Sequence, residues 1–309
     1  MSTETIERIF EVQAPAQLKV SNARGSVDIR PGDDGVISVT AVKHKSTSSL
    51  GRTQIIIEQQ EDGRVVAEAK YENSITGWLG LNKPCRVDFT IRVPKNCSVK
   101  ANCVSSEAVI EGLEGTIDVN GVSGDLQLRD LSGDFNFSNV SGKLIAENIS
   151  GPLVMNTVSG KAHIRASQLP SISGKTVSGD VSVETQLTDG PYEFKSVSGK
   201  LELLPPEDQG CVVNIKSVSG DIRTSWPVTD RHGHGSNKQI TILGGGPEVN
   251  VKSVSGIVRI GAKGAAVEEP VVAPKPEKPV QVAKSQMQIL EELERGELSV
   301  EDALKQMNP

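Results

Sequence analysis

The chain has 309 residues, with 30 glycines, only 3% aromatic residues and a formal net charge of −6. The acidic balance argues against a nucleic-acid partner, for which a basic surface is expected. No stretch approaches the ~20 consecutive apolar residues of a membrane-spanning helix, and the first residues do not resemble a signal peptide. We therefore expect a cytoplasmic protein with no nucleic-acid partner and no membrane span.

Residues 1–103 are predicted to form an irregular N-terminal β region. Residues 5–12 alternate as a strand, and the later apolar pairs are separated by turn residues such as those at 31–35. The end of a repeat array must cover its apolar layer and its strand edge. We expect this region to be the cap of the array that follows, which begins near residue 17.

The segment 73–81 interrupts these strands with Trp78, Leu79 and Leu81. Two interpretations stay open from the sequence. The three side chains would either form an exposed contact site for a partner or fold as a plug over the open end of the array.

Residues 104–262 repeat a nine-residue phrase, which is the signature of a repeat architecture. Each phrase carries apolar residues at its first, fifth and seventh positions and, almost always, glycine at its third. Phrases begin at Val122, Leu131, Val140, Ile149 and Val158. We expect the first, fifth and seventh positions to form the core, with the glycine at a corner.

Two phrases per coil give a rung of about 18 residues, because nine residues are too few for a strand, a helix and a return. Later Val-Ser-Gly motifs contain Ser159, Ser178, Ser198 and Ser219, in steps of 19, 20 and 21 residues, which indicates consecutive coils. The predicted fold class is all-β: a β-helix-like β-solenoid of 18–21-residue coils with an irregular N-terminal cap.

The residue after each glycine argues against a metal site. It is aspartate in some phrases and lysine in others, as in Asp125 and Lys143. Calcium needs six to eight converging oxygen ligands, whereas a mixed column supplies charge pairs between coils. We expect such pairs and no metal or cofactor.

The remaining polar motifs do not point to catalysis. His232 and His234 lie in residues 224–239, where no third metal ligand is evident and a mobile surface loop is expected. His163 is expected to point out of its coil, and neither His163 nor His44 has a visible catalytic partner. We expect no enzyme activity and no small-molecule ligand.

The four cysteines match no zinc or redox spacing. They are predicted to be small buried thiols, in keeping with a reducing compartment. They are Cys85, Cys97, Cys103 and Cys211.

The C-terminal residues change character after the ladder. Residues 263–284 contain four prolines and are predicted to be a semi-rigid linker. Residues 285–309 have helical periodicity in two short stretches, which predicts a small α-helical hairpin. Helices this short need a docking surface on another copy, on the end of the solenoid or on another protein. The apolar faces contain Ile289, Leu290, Leu293, Val300 and Leu304.

Two family resemblances follow from these motifs. The repeated Val-Ser-Gly phrase over residues 122–260, with residues 89–94 and 25–29, resembles the bacterial candidate-adhesin family of domains of unknown function. That resemblance implies a β-helix-like solenoid without established catalytic residues. Residues 289–299 resemble the two-helix SHOCT-like modules found at the ends of bacterial proteins.

The sequence as a whole predicts a non-enzymatic scaffold or interaction protein. It would bind a protein partner, or associate with itself, through the C-terminal helices. The alternatives are a self-assembling structural polymer of the bactofilin-like kind and a carbohydrate-binding or surface-binding, adhesin-like solenoid.

Overall fold

The computed structural model describes residues 2–45, 53–71, 84–188, 190–219, 221–233 and 236–261. Every regular element within these ranges is a β-strand, so the expected all-β class is confirmed. These residues belong to one compact unit, Met1–Glu268, and a second unit, Glu269–Pro309, lies outside them. The predicted linker, the predicted helical hairpin and the segment 73–81 also lie outside the described residues.

The central part of the chain is a stack of parallel coils, each with two strands. The strands are β7 (Cys97–Glu111), β8 (Ile117–Gly121), β9 (Leu126–Ser132), β10 (Phe135–Asn139), β11 (Lys143–Ser150), β12 (Leu153–Thr157), β13 (Lys161–Ser167), β14 (Ile172–Thr176), β15 (Asp180–Thr185), β16 (Tyr192–Ser196) and β17 (Lys200–Leu204). From β8 to β15, each strand pairs in parallel with the strand two places later. Phe135 lies between Ile117 and Leu153, a step of 18 residues. Two phrases therefore make one coil, as the sequence predicts.

At the N-terminal end, the chain order and the spatial order of the coils differ. The strands are β1 (Ser2–Glu11), β2 (Ala16–Pro31), β3 (Val36–Lys45), β4 (Thr53–Gln59), β5 (Val65–Tyr71) and β6 (Arg86–Val93). The coil formed by β2 lies between β7 on one side and β5 and β6 on the other. Antiparallel strands cover this end: β4 pairs with β5, and β3 lies between β6 and β1.

The C-terminal end is arranged in the same way. Its strands are β18 (Cys211–Ser217), β19 (Asp221–Thr224), β20 (Val228–His232), β21 (Asn237–Ile242), β22 (Glu248–Ser253) and β23 (Ile257–Ile260). The last coil, β22 and β23, lies between the coil of β16 and β17 and the coil of β18 and β19. The expectation that Ser198 and Ser219 lie on neighbouring coils is wrong, because the coil of Ser255 separates them.

The segment between residues 224 and 239 also differs from its prediction. Instead of a mobile loop, it contains β20 and the start of β21, which form an antiparallel hairpin. The hairpin pairs with β18 and covers that strand's outer edge. The backbone hydrogen bonds of this edge explain why the polar segment is ordered.

The coils form two walls with a continuous apolar core between them. The first wall contains β8, β10, β12, β14, β16, β22 and β18, and the second contains β9, β11, β13, β15, β17, β23 and β19. The fifth and seventh phrase positions are buried, as Leu126 and Leu128 illustrate. The prediction that every first position is core is wrong: Leu131 and Ile149 are buried, but Val140 is 42% exposed.

Candidate functional site

A row of exposed valines follows one corner of the solenoid. The corner is the turn that connects the first wall to the second. Its sequence is Val-Ser-Gly, or Val-Ser-Ser at Val104, and each turn exposes the side chain of its valine. We call these eight residues the valine stripe. In spatial order they are Val104, Val122, Val140, Val158, Val177, Val197, Val254 and Val218, with exposed fractions between 42% and 80%.

Hydrogen bonds at the turn fix the valines in this outward position. The N–H of Ser141 donates to the carbonyl oxygen of Val122 on the preceding coil at 2.9 Å, and the Ser141 Oγ donates to the same oxygen at 3.0 Å. The serines of the neighbouring turns repeat this pair of bonds. The backbone on both sides of each valine is therefore held by the next coil, and its side chain remains in solvent.

At turns such as those of Val140 and Val177, the residue before the valine points inward and closes the turn from inside. Asn139 is buried, and its Nδ2 donates to the carbonyl oxygen of Gly142 at 2.6 Å. Thr176 accepts a hydrogen bond from the N–H of Gly179 at 2.9 Å. Because side chains alternate along an extended chain, an inward residue here places the following valine outward.

The glycine of the turn is required by the stacking of the coils. A Cβ atom on Gly142 would collide with the carbonyl oxygen of Gly124, the equivalent residue one coil earlier. The φ angle of Gly142 is not in the left-handed region, in contrast to Gly133 at the opposite corner, where φ is 131°. Close approach between coils, and not a special φ, therefore explains this glycine.

The stripe borders a shallow groove of about 680 Å³ that extends along six coils, from Val104 to Val197. Its other border is a column of outward side chains on the first wall, two residues before each valine. The N-terminal half of that column is uncharged and contains Asn102, Asn120, Ser138 and Asn156. Asn120 Nδ2 donates to Asn102 Oδ1 at 3.2 Å, so part of this half forms an amide ladder.

The C-terminal half of the same column consists of lysines in register on neighbouring strands. We call it the lysine column; it contains Lys175, Lys195, Lys252 and Lys216. All four side chains are exposed, and among the described residues none has a carboxylate within ion-pair distance. Like charges directly opposite one another destabilise a sheet, so this column is a local cost to the fold.

Comparison with known proteins identifies the domain. Residues 16–261 match the family model described as Toastrack DUF4097. The chain belongs to the Toastrack DUF4097 family. No curated protein matches the sequence.

Three solved structures resemble the Toastrack domain. They are a candidate cell adhesion protein from Clostridium sporogenes (12% identity, TM-score 0.27, 84% of this chain and 100% of that chain), a candidate adhesin from Bacteroides fragilis (12%, 0.46, 84% and 97%) and a candidate lipid-binding protein from Parabacteroides distasonis (14%, 0.49, 82% and 96%). The names describe those proteins and not this chain.

The charge pairs of the Toastrack domain do not lie where the sequence placed them. In the predicted column, the Asp125 carboxylate accepts a hydrogen bond from the backbone N–H of Lys143 at 3.0 Å. The ion pairs between coils that the structure describes on the second wall form further along the strands, where Glu147 contacts Arg129 at 3.3 Å and Arg165 at 3.9 Å. Among the described residues, no three His, Cys, Asp or Glu side chains cluster as a metal site.

The described histidines have different surroundings. His232 pairs with Asp230 at 2.6 Å beside a second cavity of about 450 Å³, whereas His234 lies outside the described residues. His163 points outward as predicted, and partial burial together with the charges of Arg165 and two lysines lowers its pKa.

His44 has a partner that the sequence did not reveal. Its Nε2 lies 2.8 Å from Asp88, which also accepts hydrogen bonds from Ser26 Oγ at 2.9 Å and Arg86 Nε at 3.1 Å. Partial burial alone would raise the pKa of Asp88, but the hydrogen bonds from Arg86, Ser26 and His44 and the charge of Arg86 hold it below its ordinary value. The aspartate separates the serine from the histidine, so the histidine is not placed to activate the serine as a nucleophile.

All four cysteines are buried thiols, as predicted. Burial raises the pKa of Cys97 to about 12 and that of Cys103 and Cys211 to about 11. These thiols are therefore protonated and inert near neutral pH.

None of the contact residues predicted from the sequence lies among the described residues. These are Trp78, Leu79, Leu81, Ile289, Leu290, Leu293, Val300 and Leu304.

The valine stripe was missed because its members occupy the same phrase position as Leu131 and Ile149. One signal was present: the two corners alternate between valine and a larger aliphatic residue.

No described helix is long and apolar enough to span a bilayer.

Proposed function

We propose that this Toastrack domain is a non-enzymatic interaction scaffold and that the valine stripe is its binding surface. The observation that carries the proposal is a row of eight valines along one corner, each of which is at least 42% exposed. Single exposed apolar residues are ordinary on a protein surface, but a contiguous apolar row marks an interaction site.

The dimensions of the stripe suit an elongated partner. Coils in a parallel stack are about 4.8 Å apart, so the eight valines span about 34 Å. Because both walls and the turn hydrogen bonds hold each coil, the surface needs no rearrangement before binding. A preorganised surface loses little conformational entropy when a partner binds.

The polar groups beside the stripe support a binding role without catalysis. The serine hydroxyls of the turns donate to backbone carbonyl oxygens of the preceding coil, as Ser159 does to Val140 at 3.3 Å. A backbone carbonyl oxygen is not a general base, whereas an activated serine nucleophile requires one beside its hydroxyl.

The proposal is tested by site-specific photo-crosslinking in the native cells. A photoreactive amino acid replaces Val140 or Val197 on the stripe, and the matched control replaces Lys161, which is exposed on the second wall. We expect discrete adducts from the two stripe positions and none from Lys161. The same adducts from all three positions, or none from the stripe, would contradict the proposal.

The proposal includes an association role for the C-terminal residues 263–309, as a tethered SHOCT-like module. Its support is the helical periodicity of residues 285–309 and their predicted apolar faces, which include Leu290, Leu293 and Leu304. Two short helices need a docking partner to be stable. The test compares the solution mass of the full chain with that of a chain ending at residue 262. An unchanged mass per particle, together with free amide exchange in the tail of the full chain, would refute this role.

A self-assembling polymer is less well supported as a second function. End-to-end stacking needs parallel coils that are open at both ends. Here antiparallel strands extend beyond the coils at each end: β1, β3 and β4 at one end and β20 and β21 at the other. Electron microscopy of the purified chain would show filaments if stacking occurred.

A further inference from the structure

We infer that the occupant of the groove is an acidic amphipathic α-helix of a partner protein, held by the valine stripe and the lysine column. The inference rests on the proposed function and specifies its partner. Three features carry it: the unpaired lysines, the valine stripe beside them and the spacing of the coils.

The lysine column selects for negative charge. Its four ammonium groups stand in register on neighbouring coils, about 4.8 Å apart. Glu193 precedes Lys195 by two residues on the same strand, but the structure records no ion pair between them. The protein as a whole carries a net charge of −6, so a stack of unpaired lysines departs from its general character. A partner with a row of carboxylates would relieve the repulsion within the column.

The lysines of the second wall make a useful contrast. Lys143 and Lys161 are also exposed and in register. In their column, however, Asp180 lies directly beside Lys161, and Asp125 contacts the backbone of Lys143. Aspartates therefore stand in the same column as these two lysines, whereas the lysine column has no carboxylate in register with its lysines.

The valine stripe and its turns favour a helical partner over an extended one. An extended peptide along the groove would need hydrogen bonds for its own backbone, and the backbone groups of the turn are already used between coils, as Ser141 to Val122 shows. A helix satisfies its backbone internally. Nucleic acids and anionic sugars favour aromatic stacking and polar donors over valines. One lipid head group would use one lysine and not four, and a flat bilayer does not fit a concave groove.

The spacing agrees with a helix. A helix advances about 5.4 Å per turn, close to the ~4.8 Å between coils. One apolar side chain per turn would therefore meet about one valine per coil. At the C-terminal end of the groove, an acidic residue beside it would face Lys175 and Lys195, the two members of the lysine column that line the groove. The six coils of the groove span about 24 Å, which corresponds to a helix of about 16 residues. This is the helix-in-groove mode of recognition.

The test uses the full chain and a panel of designed 16-residue helical peptides, with binding measured by fluorescence anisotropy. One peptide carries a leucine stripe flanked by glutamates. The second has lysine in place of each glutamate, and the third keeps the composition but disperses the leucines. The protein variants are Lys175→Glu with Lys195→Glu, both of which line the groove, and, as the matched control, Lys143→Glu with Lys161→Glu.

We expect only the acidic amphipathic peptide to bind the wild-type chain, with affinity that falls as salt rises. The Lys175→Glu/Lys195→Glu variant should bind it at least about tenfold more weakly, because attraction becomes repulsion at two coils. The control variant should stay within about twofold of wild type. Equal binding of the basic peptide, an equal loss in the control variant or no binding at all would overturn the inference. So would tighter binding to phosphatidylglycerol vesicles or to heparin.

Failure of this inference is distinguishable from failure of the proposed function. The adducts from Val197 crosslinking identify the partner segment by mass spectrometry. An acidic segment with helical apolar periodicity supports the inference. Adducts with neutral or basic segments would overturn it and leave the scaffold function standing, whereas the absence of stripe-specific adducts would remove both.

Discussion

The Val-Ser-Gly turn gives the sharpest test of how the coils stack. Replacing Gly142 with alanine adds one methyl group that would collide with the carbonyl oxygen of Gly124 on the preceding coil. Both positions are fixed, because the flanking serine and valine hydrogen-bond between the same two coils. The methyl group can be accommodated only by separating the coils.

The cost follows from overpacking in a rigid environment. Such insertions typically cost about 1–3 kcal/mol, and we expect the upper end here because backbone, and not a flexible side chain, must move. A domain of this size loses about 2–4 °C in Tm per kcal/mol. Gly142→Ala should therefore lower Tm by about 6–12 °C.

The control is Gly63→Ala. Gly63 lies in a turn with a φ of 82°, and nothing lies within 4 Å of an added Cβ atom. Its cost should be only the strain of a left-handed alanine, about 1–2 kcal/mol. Both Tm values are measured by calorimetry. The stacking explanation is refuted if Gly142→Ala melts within about 2 °C of the wild type or no lower than Gly63→Ala.

Three further predictions concern the corners, the Asp88 cluster and the thiols. Leu131→Ala should lower the free energy of unfolding in urea by about 2–5 kcal/mol, because a buried side chain is lost. Val140→Ala should change it by no more than about 0.5 kcal/mol. Similar losses in the two variants would contradict the distinction between the two corners. The folded-state pKa of Asp88 lies below its ordinary value of 3.8, so its stabilising effect is present above about pH 4 and is lost as the pH falls through the folded pKa. Between pH 5 and pH 3 the urea midpoint of the wild type should therefore fall further than that of Asp88→Asn, and parallel curves would show that the cluster contributes nothing. Cys97, Cys103 and Cys211 should resist alkylation at pH 8 until the protein is unfolded, because they are buried and burial raises the pKa of Cys97 to about 12 and of Cys103 and Cys211 to about 11. Rapid labelling of these three thiols in the native protein would disprove this.

The repeat itself was predictable from the sequence because it rests on local rules. Alternation of apolar residues predicts the buried fifth and seventh positions, and glycine at a fixed interval predicts the corner. These rules yielded the all-β coils and the 18-residue step between Phe135 and Leu153.

The order of the terminal coils was not predictable in this way. Every coil offers the same parallel edge, so sequence spacing cannot say which edge a given coil meets. The insertion of β22 between β16 and β18 depends on pairings across 36 residues or more, such as Asn214 with Asn250. Propensity contains no information of that range.

The candidate site was missed for a related reason. Valine is usually buried in a protein core, and Val140 and Leu131 occupy the same position of the repeated phrase. The direction of each side chain is decided by the turn: the inward Asn139 precedes Val140, and its amide bonds to Gly142. The lysine column is equally hidden, because Lys252 enters it only when the last coil is inserted.

The insertion of β22 and β23 also affects the order in which the coils can form during synthesis. The sequences Asn214-Ile215-Lys216-Ser217-Val218-Ser219 and Asn250-Val251-Lys252-Ser253-Val254-Ser255 are nearly identical. The first leaves the ribosome earlier, when the edge of β16 is unoccupied, yet the finished protein has the second on that edge. A nascent chain therefore holds two near-duplicate candidates for one rung. Only the earlier one also pairs with the hairpin partner β21. The coils therefore cannot be ordered one by one as they are synthesised, because the final order requires β21 and β22.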